Sequence, residues 1–166
     1  LIDELDLGAK GGTARFQLHP NGDTSRDGAG FRTVAGDASL RGFFYTESGN
    51  ALPVVVTKRK KPRRASHDVV AERQGRGSTR TVTLLLVGGR GIADDAVPDV
   101  ALANGALDIR LAGERLQIGM APRVVSGQAV ASDLWVARFT GNALRTLIVP
   151  HLPANGKPAC DVRHEK

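Results

Sequence analysis

The 166-residue chain is 41% hydrophobic, which is enough for a single folded domain, and it carries a net charge of +6. Its one cysteine excludes a disulfide framework and any site with several cysteine ligands, so we predict no metal and no cofactor. No strictly apolar run exceeds four residues, so we expect no membrane span. Gly 20 and Pro 8 predict many turns and few long helices.

The first half of the chain alternates short apolar segments with turn signals. Ala14, Phe16 and Leu18 alternate with polar residues, the pattern of a half-buried strand. Residues 1–7 fit either a helical turn or an extended arm, and the polar, glycine-rich residues 23–30 are predicted to be loop. Strands are predicted at 14–18, 31–35, 40–45, 52–57 and 81–87, the last being the most apolar and therefore central.

The second half opens with residues 92–103, which fit a short helix or a long turn. Two alternating apolar segments around Gly113 predict a hairpin over 106–120. Strands follow at 130–139 and 144–149, and the tail 151–166 is predicted to be irregular.

These segments predict an all-β fold, a sandwich or barrel of about eight short, mostly antiparallel strands in one domain spanning 1–166. The alternative is an α+β fold, which needs helices between strands, and only 92–103 offers a candidate.

The positive charge is concentrated in one internal segment. Residues 51–90 carry ten bases and two acids, and six of the seven residues 58–64 are basic. Since strands are predicted on both sides, we expect an extended basic loop over 58–80. Like charges this dense repel one another, so the loop is either solvated or neutralised by an anionic partner.

Phosphate is the natural partner, because neutralising it releases counterions. No aromatic residue lies among the bases, so binding should be independent of nucleotide sequence. The predicted contacts are Lys58, Arg59, Lys60, Lys61, Arg63 and Arg64, supported by Arg73, Arg76 and Arg80.

We therefore expect a non-enzymatic structural subunit of a nucleoprotein particle, associating with itself or a larger assembly. The turn-rich, arginine-heavy, nearly cysteine-free composition is similar to that of virion, phage-particle and ribosomal subunits. Two alternatives stay open: a small nuclease or other phosphoryl-transfer enzyme with the loop as substrate clamp, and a binding module for an acidic protein. The free thiol suits a reducing compartment, and the basic run matches a nuclear-localisation pattern.

Weaker motifs are read as structural. Gly88–Gly91 follows a strand as a phosphate-binding turn would, but the full fingerprint is absent. Ser66 lies in a pattern that basophilic kinases recognise. The remaining candidates are interpreted as solvated or incidental groups: Asp94, Asp95, Asp99, His19, His67, His151, His164 and Cys160.

Overall fold

The computed structural model describes residues 1–60, 66–88, 97–111, 113–151 and 159–164. These residues form seventeen β-strands, every pairing is antiparallel, and none of them is helical. The all-β prediction is confirmed, although the strands outnumber the eight or so that the sequence predicted. A helix long and apolar enough to cross a membrane is not found in the described part of the chain.

The chain divides into two compact units, Leu1–Ala93 and Asp94–Lys166. This division does not test the expectation of one domain, which stays a prediction. The strands of the first unit are β1 (Ile2–Asp6), β2 (Gly12–Leu18), β3 (Asp23–Asp27), β4 (Gly30–Ala35), β5 (Ala38–Thr46), β6 (Ala51–Leu52), β7 (Val54–Lys58), β8 (His67–Gly75) and β9 (Ser78–Gly88).

The first unit is built like a sandwich of two sheets. One sheet has the order β1-β9-β5-β4-β3 with β6 paired to the end of β5, and the other has the order β2-β8-β7. The sheets pack through a buried cluster of Phe31, Phe44, Val54, Val69 and Ala71. The described strands close no sheet into a barrel, so the sandwich is the form that the structure supports. Strand β9 lies between β1 and β5, which confirms its predicted central position.

Two glycines allow an aromatic ring to lie flat across the neighbouring strand. Phe31 lies directly opposite Gly42 in the β4–β5 pair, and a Cβ at that glycine would overlap the ring. In the second unit, Trp135 covers Gly119 in the same way. Both rings are fully buried, so any side chain at either glycine would displace a core aromatic.

The second unit contains one six-stranded sheet of order β10-β11-β12-β15-β16-β17 and the separate pair β13–β14. Its core gathers Trp135, Phe139, Leu144 and Leu147 with smaller side chains. The hairpin predicted over 106–120 is confirmed as β11 and β12. The strands are β10 (Asp99–Ala103), β11 (Ala106–Leu111), β12 (Glu114–Gly119), β13 (Arg123–Val125), β14 (Gln128–Val130), β15 (Trp135–Thr140), β16 (Ala143–His151) and β17 (Ala159–His164).

The loop predicted over 58–80 is wrong for most of its length. His67–Gly75 is strand β8, the middle strand of its sheet, and Ser78 begins β9. Val69 and Ala71 of β8 face the core, while Val70 between them is more exposed, so one buried face suffices to hold the strand. The charged residues around those two core positions concealed this alternation.

Other predicted irregular segments also contain strands. Residues 23–30 were predicted as loop but include β3, which is held by pairing with β4 rather than by an apolar face. Residues 1–7 take the extended alternative as β1, paired with β9. Within 92–103, Asp99–Ala103 is a strand, and residues 92–96 lie outside the described residues. The tail predicted as irregular contains β17, paired with β16.

Candidate functional site

Of the nine bases predicted to bind together, the six that the structure describes lie near the two ends of strand β8. Lys58 ends β7 and precedes Arg59 and Lys60, and we call this group with the start of β8 the loop end. Arg73, Arg76 and Arg80 lie around the β8–β9 turn, and we call this group the hairpin end. Nine residues of extended chain between the ends span about 30 Å. The six described bases therefore fall into two separate groups.

The three remaining predicted contacts, Lys61, Arg63 and Arg64, lie outside the described residues.

At the hairpin end, Arg73 is neutralised within the protein. Its guanidinium forms a two-pronged ion pair with Glu47, in which Nη2 lies 2.6 Å from Oε1 and Nη1 contacts Oε2. Nη1 also donates to the carbonyl of Arg80 at 2.6 Å. The hydrogen bond from Arg73 lowers the pKa of Glu47 and outweighs partial burial, while Glu47 raises the pKa of Arg73.

Arg80 is also paired, whereas Arg76 is not. Arg80 Nε lies 3.0 Å from Glu4 Oε2, and the Ser78 hydroxyl donates to Glu4 Oε1 at 2.9 Å. The hydrogen bond from Ser78, followed by that from Arg80, lowers the pKa of Glu4. Arg76 is exposed and forms no ion pair with a described carboxylate.

At the loop end, only Arg59 folds back onto an acid. Its Nε lies 3.2 Å from Asp68 Oδ1, and His19 Nδ1 lies 2.6 Å from the same oxygen. Partial burial acts to raise the pKa of Asp68, but the His19 hydrogen bond and the Arg59 charge outweigh it and lower that pKa. Lys58 and Lys60 are exposed and form no ion pair with a described carboxylate.

Backbone pairing continues past the end of β7. Lys58 is in register with His67, and the Arg59 N–H donates to the Ser66 carbonyl at 2.9 Å. Backbone pairing therefore reaches Arg59 and Ser66, which both belong to the segment that the sequence predicted to be loop.

Ser66, just before β8, is hydrogen-bonded to the turn between β2 and β3. The Ser66 hydroxyl donates to the Gly22 carbonyl at 2.5 Å and accepts from the Gly22 N–H at 3.1 Å. The Ser66 N–H donates to the Pro20 carbonyl at 3.1 Å. Modification of the Ser66 hydroxyl would require breaking these contacts.

A groove lies beside the loop end, where β3 and β7 form the edges of the two sheets. Its volume is about 480 Å³, and it is lined by Thr24, Ser25, Arg26, Val54, Val55, Val56, Lys58 and His67. Sequence reasoning missed Arg26, because β3 was predicted as loop and nothing in the sequence shows which edges meet.

The remaining sequence candidates are scattered along the chain, and several of them lie outside the described residues. Within the described ranges, no three His, Cys, Asp or Glu side chains lie close enough together to hold a metal ion. Asp99 is an exposed residue of β10, and His151, Cys160 and His164 lie on β16 and β17. Asp94, Asp95 and residues 89–91 of the glycine-rich turn lie outside the described residues.

The chain matches no protein-family model, no curated protein and no solved structure at a significant level.

Proposed function

We propose that this protein is a non-enzymatic structural subunit of a nucleoprotein particle that contacts nucleic-acid phosphates through its loop end. The observation that carries the proposal is the charge there. Six of the seven residues 58–64 are basic, Lys58 and Lys60 are exposed without a described carboxylate partner, and Asp68 neutralises Arg59. Two of the three described bases at this end are therefore available to an anionic partner.

The chemistry of the loop end suits phosphate better than bases. Lysine and arginine neutralise phosphates and release counterions, which makes binding strong at low salt. Residues 58–64 include no aromatic side chain on which a base could stack, so contacts would be to the backbone of the nucleic acid. With about six such contacts, the logarithm of the affinity should fall against the logarithm of salt concentration with a slope of roughly −5.

The β-sheet units would supply the packing surfaces of the particle. On β9, the side chains of Leu85 and Val87 are 44% and 73% exposed. Apolar side chains exposed on a central strand are suited to burial against a neighbouring subunit.

The test replaces the six bases of 58–64 with serine and measures electrophoretic retardation of nucleic acid. We expect an intact fold and loss of retention. The matched control removes the same charge from exposed bases elsewhere, and we expect it to retain binding. The control residues are Lys10, Arg76, Arg145 and Arg163, together with Arg15 and Arg110, which are exposed but lie within ion-pair distance of Glu72 and Asp108. Unchanged retention after substitution of 58–64, or equal loss in the control, would overturn the proposal.

Material that copurifies with the protein provides a second readout. We expect ultraviolet absorbance typical of nucleic acid at low salt, and its loss at about 1 M salt, where phosphate contacts are screened. Copurification of an acidic protein without nucleic acid would instead favour the alternative of a protein-binding module.

A further inference from the structure

The groove between β3 and β7 brings three nitrogen-bearing side chains together, and each has a free polar atom. Arg26 of β3, Lys58 of β7 and His67 of β8 all line it. Arg26 is anchored through Nε, which donates to the Gly28 carbonyl at 3.0 Å. Its two terminal nitrogens and the Lys58 ammonium have no partner among the described residues.

The contacts of His67 fix the position of its ring proton. The residue is 9% exposed, and Nδ1 lies 2.8 Å from the Ser66 hydroxyl and 3.1 Å from the Gly22 carbonyl. The carbonyl can only accept, and the Ser66 hydroxyl already donates its proton to that carbonyl. Nδ1 therefore carries the proton, which leaves Nε2 of a neutral ring as an acceptor with no partner among the described residues.

No carboxylate is among the described residues that line the groove. Two of the acids next to lining residues are already engaged: Asp27 Oδ2 lies 2.7 Å from Arg41 Nε, and Asp68 pairs with His19 and Arg59. The described lining therefore contributes the positive charge of Arg26 and Lys58 and no negative charge of its own.

We propose that this groove is a site for a single phosphate group. Arg26 donates through its terminal nitrogens, Lys58 adds a second positive charge, and His67 Nε2 accepts the proton of a protonated phosphate oxygen. A phosphate monoester has its second pKa near 6 and so offers that proton close to neutral pH, whereas a carboxylate or a sulfate does not. The volume of about 480 Å³ lies within the range of small-molecule sites, about 300–1,000 Å³.

This site extends the proposed function. It rests on that function in one respect only, which is that nucleic acid supplies the phosphate. The groove lies beside the loop end through Lys58, so the terminal phosphate of a bound strand could enter it. Free phosphate is the other source of the same chemistry.

The experiment titrates the full chain with inorganic phosphate at neutral pH and constant ionic strength, following the side-chain nitrogens of His67 by NMR. We expect a saturable shift of Nε2. Because each lost charge-assisted hydrogen bond costs about tenfold in affinity, Arg26→Gln and Lys58→Gln should each bind phosphate about tenfold more weakly, and sulfate should bind wild type about tenfold more weakly. Both substituted side chains are exposed, so the fold should be retained.

The control is Arg76→Gln, an exposed arginine at the hairpin end, which should bind phosphate as wild type does. Equal affinity for sulfate and phosphate, no shift at His67, or unchanged affinity in either groove variant would overturn the site.

Competition identifies the source of the phosphate. An oligonucleotide with a 5′-phosphate that displaces inorganic phosphate, where its 5′-hydroxyl counterpart does not, assigns the site to strand ends; displacement by neither assigns it to free phosphate. The two proposals fail separately. Replacing Lys60, Lys61, Arg63 and Arg64 with serine tests nucleic-acid retention while leaving all three groove residues in place.

Discussion

The two ends of strand β8 carry similar numbers of bases in the described residues but differ in how those bases are neutralised. At the hairpin end, Arg73 and Arg80 are paired with Glu47 and Glu4. At the loop end, Arg59 is the described base that pairs with a carboxylate, and its partner is Asp68. The local density of bases in a sequence therefore does not measure the charge available to a partner.

The origin of this difference lies in the sheets. Pairing of β1 with β9 places Glu4 directly opposite Arg80, so the acidic N-terminal strand neutralises one side of the hairpin. At the loop end, the β7–β8 ladder places Lys58 opposite His67 and Asp68 opposite Thr57, so Lys58 has no acid directly across from it.

The largest expected effect is on nucleic-acid affinity, which should depend on the exposed bases of the loop end and not on those of the hairpin end. Lys58→Ser with Lys60→Ser removes two exposed charges from the loop end. The matched pair is Arg76→Ser at the hairpin end and Lys10→Ser in the neighbouring turn, which is joined to the hairpin by the hydrogen bond from the Gly77 N–H to the Gly8 carbonyl. We expect the first pair to weaken binding at least about tenfold and to reduce the salt slope by about 2. The second pair should change neither. Fluorescence anisotropy across a salt series measures both, and equal weakening by the two pairs would abolish the distinction.

The second expected effect is on the free energy of unfolding, and here the hairpin end should be the more sensitive of the two. Glu47→Gln leaves Arg73, whose side chain is 13% exposed, without its ionic partner, and we expect a loss of about 1–2 kcal/mol. Asp68→Asn releases Arg59, whose side chain is 38% exposed, and should destabilise the protein less than Glu47→Gln does. Urea unfolding of both variants gives the comparison, and a larger loss for Asp68→Asn would reverse it.

The sequence predicted the fold class because some strands carry their own signal. Alternation of apolar and polar residues identified β2 and the β11–β12 hairpin, and turn glycines marked their ends. Strand β3 has no apolar alternation and is held by backbone pairing with β4, while β8 shows its buried face at only a few positions. Both were predicted as loop for that reason.

The candidate site was predictable in part. The run of bases located the loop end, but the sequence could not separate Lys58 and Lys60 from Arg73. Glu47 and Arg73 are 26 residues apart, and their contact depends on strand arrangement that local pattern does not encode. The groove requires two edges from different sheets, so Arg26 and His67 had no signal linking them to Lys58.

A smaller effect on nucleic-acid binding is expected when an acid is neutralised at either end of β8, because this frees a paired arginine. Asp68→Asn frees Arg59 at the loop end, so the salt slope of nucleic-acid binding should become steeper by about 1. Glu4→Gln frees Arg80 at the hairpin end and should leave the slope unchanged. The same anisotropy series tests both, and a steeper slope for Glu4→Gln would show that the hairpin end also contacts phosphate.

The smallest effect is the pH dependence of the hairpin-end ion pair. The hydrogen bond from Arg73 lowers the pKa of Glu47 in the folded state, so this carboxylate stabilises the protein above its ordinary pKa of about 4.3. That contribution is lost as the pH falls through the lowered pKa of the folded state. The stability difference between wild type and Glu47→Gln should therefore be constant near neutral pH and shrink below about pH 4. Urea unfolding of both proteins at several pH values measures it. A difference that persists undiminished in acid would mean that the substitution acts through packing, and the ion pair would no longer explain why Arg73 is withheld from a partner.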